Sequence, residues 1–348
     1  MKRDFTHAGV WMSTLLLTGA TGFLGSWILE ILEKENLAGN LGYDTVRLLA
    51  RDPEKVQKKK NTHLKLEVVK GDLLDHESLK KAAEDVSGVI HSAALYDVRS
   101  SKTSFFSVNV EGTEALIRSC SRGTRFVLTS TYGVYGFPNR KEKIKEDYEP
   151  KKPIWHYQRS KKRQEDVSRA LCGERDMRFV ALRPPTIIGP GDLFVIPSMV
   201  ELIRMGRLML IGGGEKQMPY VHVADAARAH VLALQHIDEN VGESFHFAGF
   251  TVQFKDFVSA VCRELGVTSV EKSIPYFIAY SAGALGDVLR AVKVDTPFSR
   301  FTVAFLSSHS LLDTSKIEER LGFFPDYGFE KTVKESMDWY KEHTPHAR

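Results

Sequence analysis

An α/β fold, with a doubly wound parallel sheet and a smaller, mostly helical C-terminal lobe, follows from three observations. Strand-like and helix-like runs alternate through the first half of the chain. Glycines stand at 19, 22 and 25, directly after the first strand-like run and at the opening of the first helical one. The alternation stops near Arg183, where Pro184, Pro185, Gly189, Pro190 and Gly191 punctuate a loop. Strands separated by helices need right-handed crossovers, which leave a parallel sheet covered on both faces.

The elements follow in order. Residues 14–17 are a short apolar strand, and residues 23–35 carry Leu24, Ile28, Leu29 and Leu32 at helical period. Residues 45–50, 64–69, 88–92 and 125–128 read as four more strands, with helical stretches at 77–84 and 105–118. Past the loop, the pattern predicts a helix over 196–205, a turn at Gly212-Gly213-Gly214 and a helix over 224–234. The remainder is mostly helical with short strands, and no internal repeat is visible. Residues 12–183 plus 215–248 are assigned to the sheet domain and 184–214 plus 249–348 to the lobe. The lobe closes over the carboxyl edge of the sheet, where open α/β sheets take their ligands.

Composition excludes several classes. The chain has 348 residues, 43% hydrophobic and 26% charged, which is the balance of a globular protein with room for a sizeable core. Disorder and collagen-like repetition do not fit. The net charge of +4 is spread along the chain, so nucleic acid is not indicated. Lys58-Lys59-Lys60 reads as a solvated turn. Cys120, Cys172 and Cys262 are far apart and form no CxxC pair. They point to a reducing, cytoplasmic setting without disulfides or zinc. His222 and His230 have no partner spacing that suggests a metal, and none is expected.

Residues 15–32 are apolar but interrupted by glycines and Glu30, and the mixed residues before them lack the form of a signal peptide. The patterned sequence begins just after Met12, which makes Met12 an alternative start. Residues 274–288 are rich in Ala, Tyr and Leu but too short to span a bilayer and broken by Gly283 and Asp287. They read as an amphipathic helix of the lobe, with peripheral membrane contact as the less favoured alternative.

The strongest motif is TGATGFLG, residues 18–25. Its first glycine permits a tight turn, its second lets backbone approach a pyrophosphate, and its third allows helix and strand to pack closely. The helix that follows presents free N–H groups and a positive dipole end to phosphates. In strand–turn–helix context this predicts a dinucleotide site formed by Gly19, Thr21, Gly22, Phe23, Leu24 and Gly25. An acid at the end of the second strand would hold the ribose hydroxyl of NAD, and an arginine there suits the phosphate of NADP. Ala50 occupies that position and Arg51 follows it, so NADP is preferred over NAD. Asp52 is the rival, but Pro53 assigns it to the next turn. Asp72, next to Leu73 after the third strand, is a candidate for the adenine amino group, with a helix N-cap as its alternative reading. Ala93 and Ala94 supply small residues where backbone passes the cofactor, and Pro184 stands at the same edge.

Tyr157 and Lys161 are spaced Tyr-x-x-x-Lys at the start of a predicted helix and share one face. An ammonium beside a phenol lowers a pKa that starts near 10. A phenol so tuned can hand a proton to a carbonyl oxygen as hydride arrives, or take one from an alcohol. Thr131 ends the fifth strand at the same edge and can bond the substrate oxygen.

These stretches together resemble the extended short-chain dehydrogenase/reductases, the NAD(P)-dependent epimerase/dehydratase group. The resemblance covers residues 14–340 and rests on TGATGFLG (18–25), GDLLD (71–75), HSAAL (91–95), NVEGT (109–113), TSTYGVYG (129–136), YQRSK (157–161), LRPPTIIGPGD (182–192) and YVHVADAARAHVLAL (220–234). It implies that Tyr157 is the catalytic acid/base, that Lys161 holds the nicotinamide ribose, and that Thr131 takes the place of the catalytic Ser or Thr. It also implies that Asn109 positions the lysine through water, although a helix-kink residue is an equal reading. Sugar-nucleotide enzymes of the group often carry an Asn soon after the Arg-Pro of the sixth strand; here Pro185 and Thr186 follow Arg183-Pro184. Their dehydratases place an Asp-Glu pair after the catalytic Ser or Thr; here Tyr132 and Gly133 follow Thr131.

Residues 196–214, with Pro197, Arg204-Met205-Gly206 and Ile211-Gly212-Gly213, resemble instead the 3β-hydroxysteroid dehydrogenase-like and dihydroflavonol-reductase-like branch, and the apolar segment 275–289 fits that branch too. That implies hydride transfer at a hydroxyl or ketone of a hydrophobic small molecule. A nucleotide-sugar epimerase with retained NAD and a non-catalytic nucleotide-sensing protein are the alternatives. Residues 141–152 are expected to form a mobile loop over the site, and helices within 105–120 and 155–171 to form a homodimer contact.

Overall fold

The computed structural model describes residues 13–34, 37–56, 64–97, 100–150, 155–291 and 299–344. Met12, the lysine run 58–60 and residues 151–152 lie outside the described residues.

The first half builds β1 (Thr14–Thr18), α1 (Phe23–Glu33), α2 (Leu37–Asn40), β2 (Thr45–Ala50), β3 (Lys65–Lys70), α3 (His76–Ala83) and β4 (Val86–His91). It continues with α4 (Lys102–Phe106), α5 (Gly112–Ser119), β5 (Arg125–Thr129), α6 (His156–Glu174) and β6 (Arg178–Arg183). Each predicted strand is present, with ends shifted by two residues or fewer. Between α4 and α5 the helix widens into one π turn at Ser107–Glu111, so the single helix expected over 105–118 carries an inserted residue.

Later elements are β7 (Thr186–Ile188), α7 (Val195–Arg204), β8 (Leu210–Ile211), β9 (Gln217–His222), α8 (Val223–Gln235), β10 (Ser244–His246), β11 (Phe250–Gln253) and α9 (Phe254–Leu265). The chain ends in β12 (Ser273–Ile274), α10 (Tyr276–Ala291), α11 (Arg300–Leu306), α12 (Ser315–Leu321) and α13 (Phe329–His343).

Seven strands form one sheet in the order β10-β6-β5-β4-β1-β2-β3, and every pairing is parallel. β1 is buried along its whole length, as a near-continuous apolar strand covered on both faces must be. One face packs Leu15 and Leu17 with Ile28, Leu29 and Leu32 of α1 and with Ala226 and Ala229 of α8. The other packs Leu16 with residues of α3, α5 and α6. This is the doubly wound Rossmann arrangement, and its switch point lies between β1 and β4. Cys120, Cys172 and Cys262 are all buried.

Three features differ from the sequence reading. β9 does not join the main sheet; it pairs with β7 and β11 in a second sheet, so residues 217–222 sit with the lobe. Conversely, Ile317 and Leu321 of α12, with Phe323, pack into the main core. The stretch from 140 to 150 is pinned rather than loose. Ile144 is buried against Tyr132, Val134 and Tyr135 and exchanges backbone hydrogen bonds with Leu311 and Asp313, both at 2.9 Å. Among the described residues no helix is long and apolar enough to cross a membrane.

Candidate active site

A cleft of about 860 Å³ opens at the carboxyl edge of the sheet. Its floor is the turn from β1 into α1. Gly19 has φ +78°, and a Cβ there would stand 2.7 Å from the Ala93 nitrogen. A Cβ on Gly25 would stand 2.0 Å from the Gly19 carbonyl oxygen, so α1 lies on the turn with no space for a methyl group. Gly22 is different. A Cβ there would meet only the Gly19 oxygen, at 3.2 Å, and its backbone is extended. The fold demands the outer two glycines, whereas the middle one keeps open a cradle that only an incoming group would use. Gly22 is the N-cap of α1 and gives it no side-chain acceptor, and Thr21, Gly22, Phe23 and Leu24 all line the cleft. These residues fit a dinucleotide diphosphate.

Behind the turn runs a buried polar chain that sequence reasoning missed. Thr18 Oγ1 lies 2.7 Å from His91 Nδ1, and Thr113 Oγ1 lies 2.8 Å from His91 Nε2. Thr113 donates to the Asn109 carbonyl and accepts from Gln164. His91 therefore carries its proton on Nε2. Burial pulls its pKa down to about 3, with the Lys161 charge adding, so the imidazole is neutral.

Thr131, Tyr157 and Lys161 come together in the cleft wall. Thr131 caps a 3-10 turn (Tyr132–Tyr135) and accepts the Gly133 N–H at 3.1 Å. Tyr157 stands in the first turn of α6, its ring edge-on to Tyr96 at 5.1 Å and to Phe105 at 5.8 Å. Burial raises the Tyr157 phenol above its ordinary value, and the neighbouring Tyr96 adds to the shift. Lys161 is buried and donates to the Thr129 carbonyl at 2.7 Å. Burial pulls its pKa down to about 7, and the Glu165 charge resists. The spacing led to an expectation of an ammonium that lowers the phenol. The chain alone does the opposite, because desolvation dominates both groups.

Other expected residues are placed less directly. Asn109 does not line the cleft. It sits fully buried in the π turn, where Oδ1 accepts the Leu95 N–H at 2.7 Å and Nδ2 donates to Ser160 at 3.1 Å and to the Leu95 carbonyl. It thus clamps the backbone after β4 to the residue next to Lys161. Ala94 and Pro184 line the cleft; the Ala93 N–H instead donates to Thr18 Oγ1 at 3.3 Å.

Arg51 is 85% exposed and pairs loosely with Asp72 at 3.9 Å. Asp72 accepts the Leu74 N–H at 2.9 Å in a local turn, and the cap of α3 is Asp75. Leu73 is buried where a Cβ on Gly112 would touch it. None of these last three is among the residues lining the cleft. Asp52 caps the turn after β2 through the Glu54 N–H, as Pro53 suggested, and Lys55 lines the cleft.

Under Lys161 lies an ion pair that no motif announced. Glu165, one turn further along α6, takes Arg183 in a fork of 3.0 and 2.6 Å, and accepts from Ser244 at 2.7 Å. The mouth of the cleft is aromatic: Tyr96, Phe137, Phe194, Phe301, Phe305 and Trp339. Among the described residues no cluster could hold a metal ion. His222 caps α8, and His230 bonds Thr129 and the Ala226 carbonyl.

Comparison with known proteins agrees with this architecture. The model of the NAD dependent epimerase/dehydratase family matches residues 15–248. The chain belongs to that family. The epimerase/dehydratase family is one of NAD-dependent enzymes, and the glycine turn lies inside the matched segment. The chain is 26% identical over 339 residues to a mouse (Mus musculus) protein named sterol-4-alpha-carboxylate 3-dehydrogenase, decarboxylating, covering 91% of this chain and 89% of that one. Among solved structures, UDP-glucuronic acid 4-epimerase from Bacillus cereus superposes with a TM-score of 0.74 at 21% identity, over 94% of this chain and 99% of that one. A dTDP-glucose 4,6-dehydratase from Streptomyces venezuelae gives 0.72 at 24% identity, over 95% and 97%. The two share the fold.

Proposed function

We propose that the chain is an oxidoreductase that moves a hydride between NAD(P) and a secondary alcohol or ketone of a hydrophobic small molecule. The observation that carries this reading is the single cleft that holds Thr131, Tyr157 and Lys161 between a glycine turn and an aromatic mouth. A bound dinucleotide would accept the hydride when oxidised, with a positive ring, and donate it when reduced. Thr131 orients the substrate oxygen. Tyr157 exchanges a proton with that oxygen, and Lys161 grips the ribose. Asn109 holds Lys161 in place through Ser160. The aromatic mouth suits an apolar ligand, since each buried CH₂ contributes about 0.8 kcal/mol. The mouse relative, named for a sterol substrate, supports the same class.

NADP is the preferred cofactor in this reading. Ala50 leaves no acid at the end of β2, the Asp52 carboxylate is taken by the Glu54 N–H, and Arg51 and Lys55 stand free of buried pairs. Arg51→Ala is expected to raise the KM for NADPH about tenfold and to leave that for NADH unchanged. An equal effect on both would remove the preference. Gly22→Ala is expected to fold at a cost of about 1 kcal/mol, because the extended backbone suits alanine while the added Cβ comes within 3.2 Å of the Gly19 oxygen and alanine is a weaker N-cap than glycine. It should nevertheless weaken dinucleotide binding about tenfold or more by filling the cradle. Titration calorimetry beside a denaturation curve reads both.

The deciding experiment is dinucleotide titration followed by a panel of hydrophobic ketones and alcohols against UDP- and GDP-sugars. Turnover of the apolar panel supports the reading. Turnover of sugar nucleotides with a cofactor that survives purification would establish the epimerase alternative instead, and tight binding without any turnover a nucleotide sensor. A homodimer through α5 and α6 belongs to the same proposal. α6 turns Arg159 and Arg163 outward, as the π turn before α5 does Glu111, and light scattering tests the pairing.

A further inference from the structure

Gln158 is the third residue of α6, one place past Tyr157, and its side chain is held at one end only. Its Oε1 accepts the Trp155 N–H at 3.0 Å, reaching back over the first turn as the third residue of a capping box does. An amide oxygen accepts and an amide nitrogen only donates, so this bond fixes which way the amide points. Nε2 is left with two N–H groups and no hydrogen-bond partner among the described residues. The residue is only 2% exposed, which keeps it from bulk water. Nε2 is not enclosed by protein atoms either, and Gln158 lines the cleft, so the one outlet for those donors is the cleft itself.

Its neighbour there is Thr131. A Cβ on Gly133 would stand 3.3 Å from Thr131 Oγ1 and 3.4 Å from Gln158 Nε2, so both polar atoms border the same small space. Thr131 Oγ1 accepts the Gly133 N–H at 3.1 Å, which leaves its own proton free to donate. The cleft wall therefore offers three donors, on Tyr157, Thr131 and Gln158. A ketone oxygen has two lone pairs, and Tyr157 and Thr131 take both in the reaction proposed above. Gln158 is one donor too many for a simple ketone. A secluded donor left unpaired costs free energy. The capping box does not account for the amide, because Glu serves such a box equally well.

We propose that Gln158 Nε2 donates to a second oxygen of the substrate, carried on the carbon next to the reacting carbonyl or on the one after. Gln158 is then a specificity-determining residue, and the site takes a hydrophobic ketone with a neighbouring ether, ester or keto oxygen. The short spacing of the two oxygens follows from the nearness of Nε2 to Thr131. The second oxygen is uncharged. Lys55 and Lys161 are the only cations among the residues lining the cleft. Lys161 is committed to the Thr129 carbonyl, and Lys55 pairs with Asp52 at 3.5 Å, so neither is free for a carboxylate. The proposal rests on the hydride-transfer reading of the cleft.

Kinetics of the full-length protein with NADPH and NADH are to be measured over straight-chain, aryl and cyclic ketones. Each is paired with its counterpart bearing a methoxy group on the next carbon or the one after. A methoxy oxygen accepts and cannot donate, so the pair reads the N–H alone. KM for the methoxy member is expected about tenfold below that for the plain ketone, with kcat little changed, as one hydrogen bond made in ground and transition state alike requires. Gln158→Glu keeps the acceptor for the Trp155 N–H and removes the donors, and its KM ratio should fall to about one. Gln158→Met, which keeps the length without either, should do the same. Each ratio is taken within one variant, so a general loss of activity or stability cancels. A ratio near one in the parent, or a ratio that survives either substitution, would overturn the proposal and leave the hydride reading standing. Turnover of no ketone would overturn both.

Discussion

Replacing Tyr157 with Phe is expected to lower kcat and kcat/KM together by about a thousandfold, with the dinucleotide dissociation constant little changed. The substitution removes one hydroxyl and keeps the ring, so the edge-on contacts to Tyr96 and Phe105 survive. A role confined to packing would cost almost nothing. The pH profile adds a second readout. Burial raises the Tyr157 phenol, so in the free chain it stays protonated across the neutral range and is ready to donate to a ketone. Lys161 is the group that changes there, being an ammonium below about 7 and an amine above it. For ketone reduction at low dinucleotide, kcat/KM is therefore expected to fall as pH rises through about 7. Normal turnover by the Phe variant would refute proton transfer by Tyr157.

The parts of this molecule that were legible in the sequence are those set by local pattern. β1, β2 and β4 read as apolar runs because central parallel strands are buried on both sides. The TGATGFLG turn announces itself because Gly25 answers a contact with Gly19 six residues away and Gly19 takes a positive φ, although the atoms that crowd Gly19, on Ser92 and Ala93, come from just past the end of β4. What was not legible depends on distant partners. The π turn at Asn109 exists to meet Leu95 and Ser160, which are 14 and 51 positions away. The aromatic mouth draws Tyr96, Phe137, Phe194 and Phe301 from four separate segments. Arg51 sits at the expected place in sequence, yet its side chain goes to solvent and Asp72. β9 is buried along nearly its whole length as a sheet strand can be, but sequence alone does not say which sheet it joins. Tyr-x-x-x-Lys fixes which residues share a face and says nothing of how deeply they are buried, which is what reversed the expected tuning.

Burial also decides the outcome at Glu165, where Glu165→Ala is expected to cost about 3–5 kcal/mol of stability. The carboxylate is 1% exposed and Arg183 8%, so truncating the acid leaves a guanidinium with no counter-charge inside the protein. Arg183 also donates to Tyr135 at 2.8 Å and to the Glu146 carbonyl at 2.7 Å, so the loss spreads from α6 to the strap. Joint replacement of Glu165 and Arg183 by Met should cost less than the sum of the single changes, because neither charge is then stranded.

Acid provides an independent check. Burial alone would raise Glu165, but the Arg183 fork and Ser244 hold it down to about 2 against an ordinary value of 4.5. A folded pKa below the unfolded one stabilises fully above about 4.5, and that stability is lost as pH falls towards 2. Urea midpoints should decline over that window in the parent and stay flatter in Glu165→Gln. The same charge supports Lys161 one turn away, so Glu165→Gln should also move the activity limb near pH 7 to lower pH. A variant with unaltered midpoint and unaltered limb would show that this pair neither holds the helix nor sets the lysine.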